Sequence, residues 1–371
     1  MKRSKYLIAV AIALVVTLAA VGCSSGSSQG GSASSSSATV TSAEATRTVT
    51  GTDGVEVTIP ETVTKVAPTI GALAEITMID SGGQPVISAT ATQQITTAFK
   101  TYFPLYEQGN PNNYSSSSIE DLVASGTQVV FGVSTILTDD QKSQLSDAGI
   151  AFVSIDKVST VEQLCDATNI IGQILGGDAV NRAEAFSTYW KQQLSDASTA
   201  TADVAHKQSI MECMYSSGSF TTVNSTDITN EYFTAAGLTN LTADMQQQGG
   251  GGNAGITIDE ETIANMNPDW ILTNSTDGKT ALMNDTALSG VTAIQKGQVL
   301  VSPQGAYLWN VRSGEGALLP MWLVYNIYPD QAGSYNPNTA VKYFFKEFYS
   351  DDLSDAQVQS ILAGGTTAMS R

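Results

Sequence analysis

Two glutamates stand at matching corners of this chain. Glu120-Asp121-Leu122 precedes Val129-Val130-Phe131, and Glu261-Thr262-Ile263 precedes Trp270-Ile271-Leu272, at a constant offset of 141 residues. Each glutamate falls in the first turn of an expected helix, where the N-terminal partial positive charge favours a carboxylate. Exposed carboxylates so placed can meet a cationic partner surface. Stabilisation of the helix end alone, about 0.3–1 kcal/mol, is the plainer alternative. A second group lies near the C-terminus. Tyr307 and Trp309 occupy a stretch without helical or strand period, which suits exposed rings stacking on a flat or greasy ligand, or rings packed under an edge. Arg312, one of five arginines, can pair an anionic group on a ligand or salt-bridge to Glu315.

Other chemistries find less support. Ser154-Ile155-Asp156-Lys157 has the S-x-x-K spacing of penicillin-binding enzymes, but Ser154 falls inside an expected strand and no partner motif follows. There is no G-x-S-x-G elbow, and the single histidine, His206, stands beside Lys207 without triad context. One histidine and three cysteines cannot build a His-rich zinc or manganese site or a disulfide framework. Cys165 and Cys213 read as two buried free thiols rather than a bridge. Enzymatic activity and a resident cofactor are therefore not expected. Thirty-five acidic residues against 17 basic ones give a formal charge of −18, which repels phosphate backbones and anionic lipid. Nucleic-acid binding is excluded on that ground, and the acidity itself serves solubility or the attraction of cationic ligands.

The N-terminus carries an export signal. Lys2, Arg3 and Lys5 precede an uncharged run of 16 residues, Leu7 to Gly22, short for a spanning helix and suited to residues 1–22 as a signal peptide. The run ends Leu18-Ala19-Ala20-Val21-Gly22-Cys23, which resembles the bacterial lipobox, whose cysteine is acylated after cleavage. Residues 24 to 38 hold nine Ser and three Gly, so residues 23–46 read as the lipidated cysteine and a coil tether with a mean reach of about 20 Å. Removing residues 1–22 leaves 14 basic against 35 acidic residues, a charge of −21. The mature chain is expected on the extracytoplasmic face of a bacterial cell membrane, held only through its lipid, as a monomer.

The elements that position these groups form an α/β pattern. Thr48-Val49-Thr50 and Val55 to Ile59 alternate about Asp53-Gly54, a hairpin signal. Val129 to Gly132 and Ala151 to Ile155 read as buried strands, with a helix from Asp139 to Ala148 between them and Leu145 on its inner face. Ser209-Ile210-Met211, Trp270-Ile271-Leu272 and Val299-Leu300-Val301 repeat the habit. Strands spaced by helices predict two lobes with largely parallel sheets, residues 47–177 and 207–371. Between them, Asp178 can cap a helix with Ala179, Ala183, Phe186, Trp190, Leu194 and Ala197 at spacings of three and four. This connecting helix, placed at 178–206, spans roughly 39 Å if it runs to Asp203. It serves as a rigid strut between lobes or packs within one of them.

At this point the chain resembles a known family, the substrate-binding lipoproteins of ABC importers for iron complexes, haem and cobalamin. Thr52-Asp53-Gly54 to Ile59-Pro60, with Val63 to Val66, is similar to the family's opening hairpin and first strand. Glu261 to Pro268-Asp269-Trp270-Ile271 is similar to its helix-to-strand element, and Thr127-Gln128 departs from the Pro-Asp pair in the first lobe. Ser302-Pro303 through Tyr307, Trp309, Arg312, Ser313 and Glu315 to Trp322 and Tyr328-Pro329 resembles its C-terminal signature. The resemblance implies two lobes on one long rigid helix and a ligand cleft between them. It implies that Glu120 and Glu261 dock on arginines of an importer permease, which works with an ATPase.

Ligand is expected at the carboxyl ends of the strands, where loops converge. The candidate segments give Tyr114, Ser134, Tyr215, Phe220, Tyr307, Trp309 and Arg312 as ligand-binding residues. The glycine-rich stretch 246–255 is expected as a mobile loop beside them. The cargo expected is a metal chelate: a ferric siderophore, haem or a corrinoid. So few cations argue against a multiply anionic triscatecholate. A surface adhesin is the alternative, supported by the tether and polar content, and a cell-wall hydrolase is a more remote one.

Overall fold

The computed structural model describes residues 45–246 and 255–365. The signal segment, Cys23, almost all of the tether and most of the glycine-rich stretch lie outside the described residues. Folded chain begins with the expected hairpin: β1 (Thr46–Thr50) pairs antiparallel with β2 (Glu56–Pro60), Val49 facing Val57. Among the described residues no helix is long and apolar enough to cross a membrane.

Two sheets follow, built alike. In the first, β3 (Val66–Pro68) lies parallel to β4 (Val129–Gly132), and β4 to β5 (Ala151–Ser154). Ile87 adds a parallel bridge to Val66 on the outer side. The family-like stretch Val63 to Val66 therefore only leads into its strand. In the second sheet, β6 (Ser209–Glu212) lies between β9 (Thr239–Asn240) and β11 (Trp270–Thr273), and β12 (Val299–Val301) flanks β11, all parallel. Numbered within each half, the second sheet runs 2-1-3-4, and the first runs 1-3-4 with the single Ile87 bridge in the place of strand 2. β3 and β4 are buried throughout, as a parallel sheet covered on both faces requires. A third, antiparallel sheet joins β7 (Met214–Ser216), β8 (Ser219–Thr222) and β10 (Ile256–Ile258).

The 141-residue echo is a structural repeat. Ser118 caps the helix Ile119–Ser125 by accepting from Asp121 N, and Asp259 caps Glu260–Met266 by accepting from Thr262 N. Both helices end on a left-handed residue, Gly126 at φ 70° and Asn267 at φ 47°, where glycine or asparagine is tolerated. The departure from Pro-Asp is functional mimicry. Asp269 Oδ2 accepts from Ser209 N and Oγ at 2.9 and 2.7 Å, fixing the start of β6. Gln128 Oε1 accepts from Thr64 N and Lys65 N at 2.8 and 3.0 Å, fixing the start of β3 in the same way.

The connecting helix is shorter than expected. It runs Asp178–Ala200, 23 residues, about 34 Å, and ends where the backbone leaves helical geometry at Thr201, φ −102° and ψ 6°. It touches both halves. Ser187 Oγ donates to Cys165 O at 3.3 Å on the helix Val161–Leu175. Arg182 Nε donates to Ile79 O at 3.0 Å and its Nη2 to Phe348 O at 3.3 Å, one contact on each half. Alternate strand residues divide the core. Val129, Phe131, Ile210 and Leu272 join one cluster with Phe186, Trp190 and Phe344, continuous across the two sheets. Val130 belongs to a separate cluster of the first sheet, and Met211 and Ile271 to one of the second. Cys165 and Cys213 are both free and buried, and burial pushes the Cys165 thiol up to about 12.

Replacing Asp269 by Ala should lower stability by about 1–3 kcal/mol, the loss expected when half-buried donors lose a charged acceptor. Asp269→Asn, which keeps one acceptor oxygen, should retain most of it. Equilibrium unfolding in denaturant measures both, and an Ala variant as stable as the parent would show that the cap holds nothing.

Candidate functional site

The carboxyl ends of the first strand of one sheet and the last strand of the other lead to one meeting place. After β3 the chain enters the helix Gly71–Asp80, every residue of which is buried. After β12 it enters the segment Ser302–Leu318. Tyr307, in that segment, donates its hydroxyl to Gln94 O at 2.9 Å and sets its ring edge-on to Phe99, centroids 6.1 Å apart. Gln94 Oε1 in turn accepts from Gly71 N. A side chain on Gly71 would collide with the Tyr307 hydroxyl and with Gln94, so the bare backbone is what lets the two halves approach here.

Behind this contact lies the most polar buried cluster of the Ser302–Leu318 segment. Glu315 is fully buried. Its carboxylate accepts from Gly305 N (2.8 Å), Ala306 N (2.6 Å), Tyr307 N (3.2 Å) and Trp309 Nε1 (2.9 Å). Glu75, on the buried helix, accepts from Gly314 N at 3.0 Å and Glu315 N at 3.2 Å. The Tyr349 hydroxyl stands 2.7 Å from Glu75 Oε1 and 2.9 Å from Glu315 Oε1. Burial raises both carboxyls above their ordinary range, and for Glu75 the charge of Glu315 adds to it.

These contacts correct one expectation. Tyr307 and Trp309 are not exposed platforms: 5% of the first and none of the second reaches solvent. They pack under the edge because the Glu315 carboxylate draws their backbone and indole N–H groups inward. The Glu315 oxygens are taken up by those amides, the indole and the phenol. Arg312 is half-buried beside Asn310, whose Nδ2 donates to Glu212 Oε1 at 2.6 Å at the end of β6.

A family model described as periplasmic binding protein matches residues 107–306, more than half of the chain. The chain belongs to the periplasmic binding protein family. No curated protein gives a significant match. Among solved structures, a periplasmic solute-binding protein from Veillonella parvula is similar over 86% of this chain and 97% of its own, with 20% identity and a TM-score of 0.73. A Haemophilus influenzae molybdate periplasmic binding protein, MolA bound to molybdate, covers 83% of this chain and 99% of its own at 18% identity, TM-score 0.68. Helicobacter pylori CeuE with Ni(II) bound covers 85% and 99% at 16% identity, TM-score 0.65. At such identities the likeness shows the fold alone: two lobes with largely parallel sheets joined by one long helix.

Within that periplasmic-binding fold the expected residues fall into separate groups. Tyr215 and Phe220 pair across the β7–β8 hairpin with ring centroids 5.2 Å apart. Asn274, at the end of β11, holds the hairpin by accepting from Tyr215 N at 2.8 Å and donating to Tyr215 O at 3.1 Å. Ser134, after β4, gives its N–H and hydroxyl to Asp156 at 2.6 and 2.9 Å, and Ser154 adds its hydroxyl at 2.7 Å. Burial alone would raise Asp156; the three hydrogen bonds, with the charge of Lys142, outweigh it and lower its pKa. Tyr114 is half-buried at the outer edge of the first sheet, its hydroxyl accepting from Asn112 Nδ2 at 3.1 Å. Glu120 and Glu261 are exposed in the first turns of their helices.

Sequence reasoning missed Glu75, Gln94, Tyr349 and Asp156. Only Glu75 carried a signal, as a lone charge in the otherwise apolar and small run Gly71-Ala72-Leu73-Ala74-Glu75-Ile76. Gly71→Ala should destabilise the chain by about 1–3 kcal/mol through overpacking. Adding Tyr307→Phe, which removes the colliding hydroxyl, should recover part of that loss although it lowers stability alone. A double-mutant cycle by denaturant unfolding measures the coupling, and strictly additive losses would separate the two positions.

Proposed function

We propose that this periplasmic binding protein captures a metal chelate (a ferric siderophore, haem or a corrinoid) between its lobes and delivers it to an ABC importer permease and its ATPase. The reading places it on the extracytoplasmic face of a bacterial membrane, tethered through lipidated Cys23, working as a monomer without catalytic activity. The observation that carries it is the convergence of the carboxyl ends of two like-ordered parallel sheets at Gly71, Gln94 and Tyr307, the place where open α/β sheets take ligands. Metal-containing cargo is supported by the Ni(II) and molybdate bound by two proteins of like fold.

On this reading Ser134, Tyr215 and Arg312 reach the ligand first, with Tyr114 at the outer edge of the first sheet; Phe220, expected among them, is buried and backs the Tyr215 ring instead. Tyr307 and Trp309 shape the floor from below. Docking falls to Glu120 and Glu261. Both are exposed on equivalent corners, one on each lobe, so a permease engaging both senses whether the lobes are correctly placed. Exposed ion pairs contribute about 0–1 kcal/mol each and are screened by salt, which suits a component that must detach after delivery.

With 14 basic residues in the mature chain, a neutral hydroxamate chelate, a corrinoid or a porphyrin should be preferred over a ferric triscatecholate. Thermal-shift titration of the full chain tests this. The favoured cargo at a hundredfold excess over Kd should add about 2.7 kcal/mol of stability, and tight binding of the triscatecholate alone would reverse the ranking. Replacing Glu120 and Glu261 together by Lys should abolish uptake in cells while leaving chelate affinity unchanged. A loss of affinity would move those residues from docking into the ligand site.

A further inference from the structure

Proton counting at the Glu75–Tyr349–Glu315 cluster gives more than its hydrogen bonds. A phenol has one proton to donate. Tyr349 Oη stands within hydrogen-bond distance of a carboxyl oxygen on either side, at 2.7 and 2.9 Å. Two such bonds need two protons, so the second must sit on a carboxyl. Glu315 already accepts from three backbone amides and the Trp309 indole, whereas Glu75 accepts from two amides. The fewer donors favour Glu75 as the protonated group, its O–H donating to Tyr349 and Tyr349 donating to Glu315.

The bond that joins the pair runs through a phenol. Among the titratable groups near it are further phenols and acids, and Arg312 stands three residues before Glu315. Tyr102, from the helix Thr97–Tyr102, and Tyr307 feel its charge, and behind them stand Tyr106 and Asp351. Further along the Glu75 helix, Asp80 has Arg182 as its neighbouring charge, and Arg182 spends its donors on Ile79 O and Phe348 O.

We infer that Glu75 is a positioning residue for the interlobe site, holding a proton at neutral pH that it shares through Tyr349 with Glu315, and that losing this proton loosens the Ser302–Leu318 segment that carries Tyr307. The inference rests on the binding reading above for its functional meaning, but not for its chemistry. The sign follows from linkage. The folded chain keeps a proton that the unfolded chain releases at an ordinary carboxyl pKa, so stability declines as pH rises through the window between the two. The decline reaches tenfold in the unfolding constant per pH unit for one full proton. Chelate held between the lobes is then released more readily toward alkaline pH.

The test uses the full chain from about pH 5 to about pH 9. Infrared difference spectra should show the carbonyl stretch of a neutral buried carboxylic acid disappearing toward the alkaline end. Hydrogen exchange should show Gly305, Ala306 and Tyr307 amides losing protection over the same range, relative to amides of β4. Glu75→Gln, whose amide N–H replaces the acid O–H toward Tyr349, should remove the band and flatten both the exchange and the unfolding profile. Glu315→Gln, which turns a donor against the segment's own amides, should destabilise at every pH. A wild-type chain with no such band, or a Glu75→Gln variant with the parent's pH profile, overturns the inference. If the variant folds poorly, the wild-type band decides alone. Band and slope present while no chelate raises the melting temperature would overturn the transport reading and leave the shared proton standing.

Discussion

Two carboxyl groups taken out of water at one point, with a phenol between them, set the terms for the surrounding structure. Burying a charge without compensation is costly enough that the group either finds donors or takes up a proton. Here both happen. Glu315 gathers the N–H groups of Gly305, Ala306, Tyr307 and Trp309, and this draws a long segment after β12 into a fixed inward curl. Glu75 gathers Gly314 and Glu315 N–H at the start of the turn leading into the helix Leu319–Ile327, supplying orphan donors with an acceptor from another element. The fully buried helix, the C-terminal aromatic segment and the Tyr307 segment thus meet through side chains far apart in sequence. The contact of Tyr307 with Gln94 sits on this foundation.

Around that point the chain uses one plan twice. Each sheet keeps the parallel order 1-3-4, each carries a short capped helix that ends in a left-handed residue, and each fixes its first strand with a side-chain acceptor from the residue before the third. The repeat places Glu120 and Glu261 on corresponding corners without any contact between them. The chain also brings the segments that follow β3 and β12 together, at the contact of Tyr307 with Gln94.

Much of this was legible from the residues. Alternation about Asp53-Gly54, the short buried runs and the 141-residue echo are local signals, and local signals survive into the structure. The connecting helix was legible in its face but not in its end, because Thr201 gives no break stronger than any polar residue. The equivalence of Gln128 with Asp269 was not legible, since a glutamine and an aspartate share only an oxygen at the right reach. Tyr307 and Trp309 were misread as exposed for a related reason. Nothing local reveals that Glu315 will turn their N–H groups inward, since that depends on Glu75 and Tyr349, 240 and 34 residues away. Long-range polar networks leave little periodicity to read.

The apolar cluster common to both sheets has a mechanical consequence. Phe186 and Trp190 on the connecting helix lie in the same close-packed volume as residues of β4 and β11, and such interiors resist shear. A wide, jaw-like swing would have to tear that volume open, so the halves are confined to small tilts about a stiff spine. Halves braced in this way lose little freedom when a ligand binds against them. On the proposed reading, selectivity would then rest on an outline fixed before the ligand arrives, and release would need a push from outside rather than the spring of a hinge.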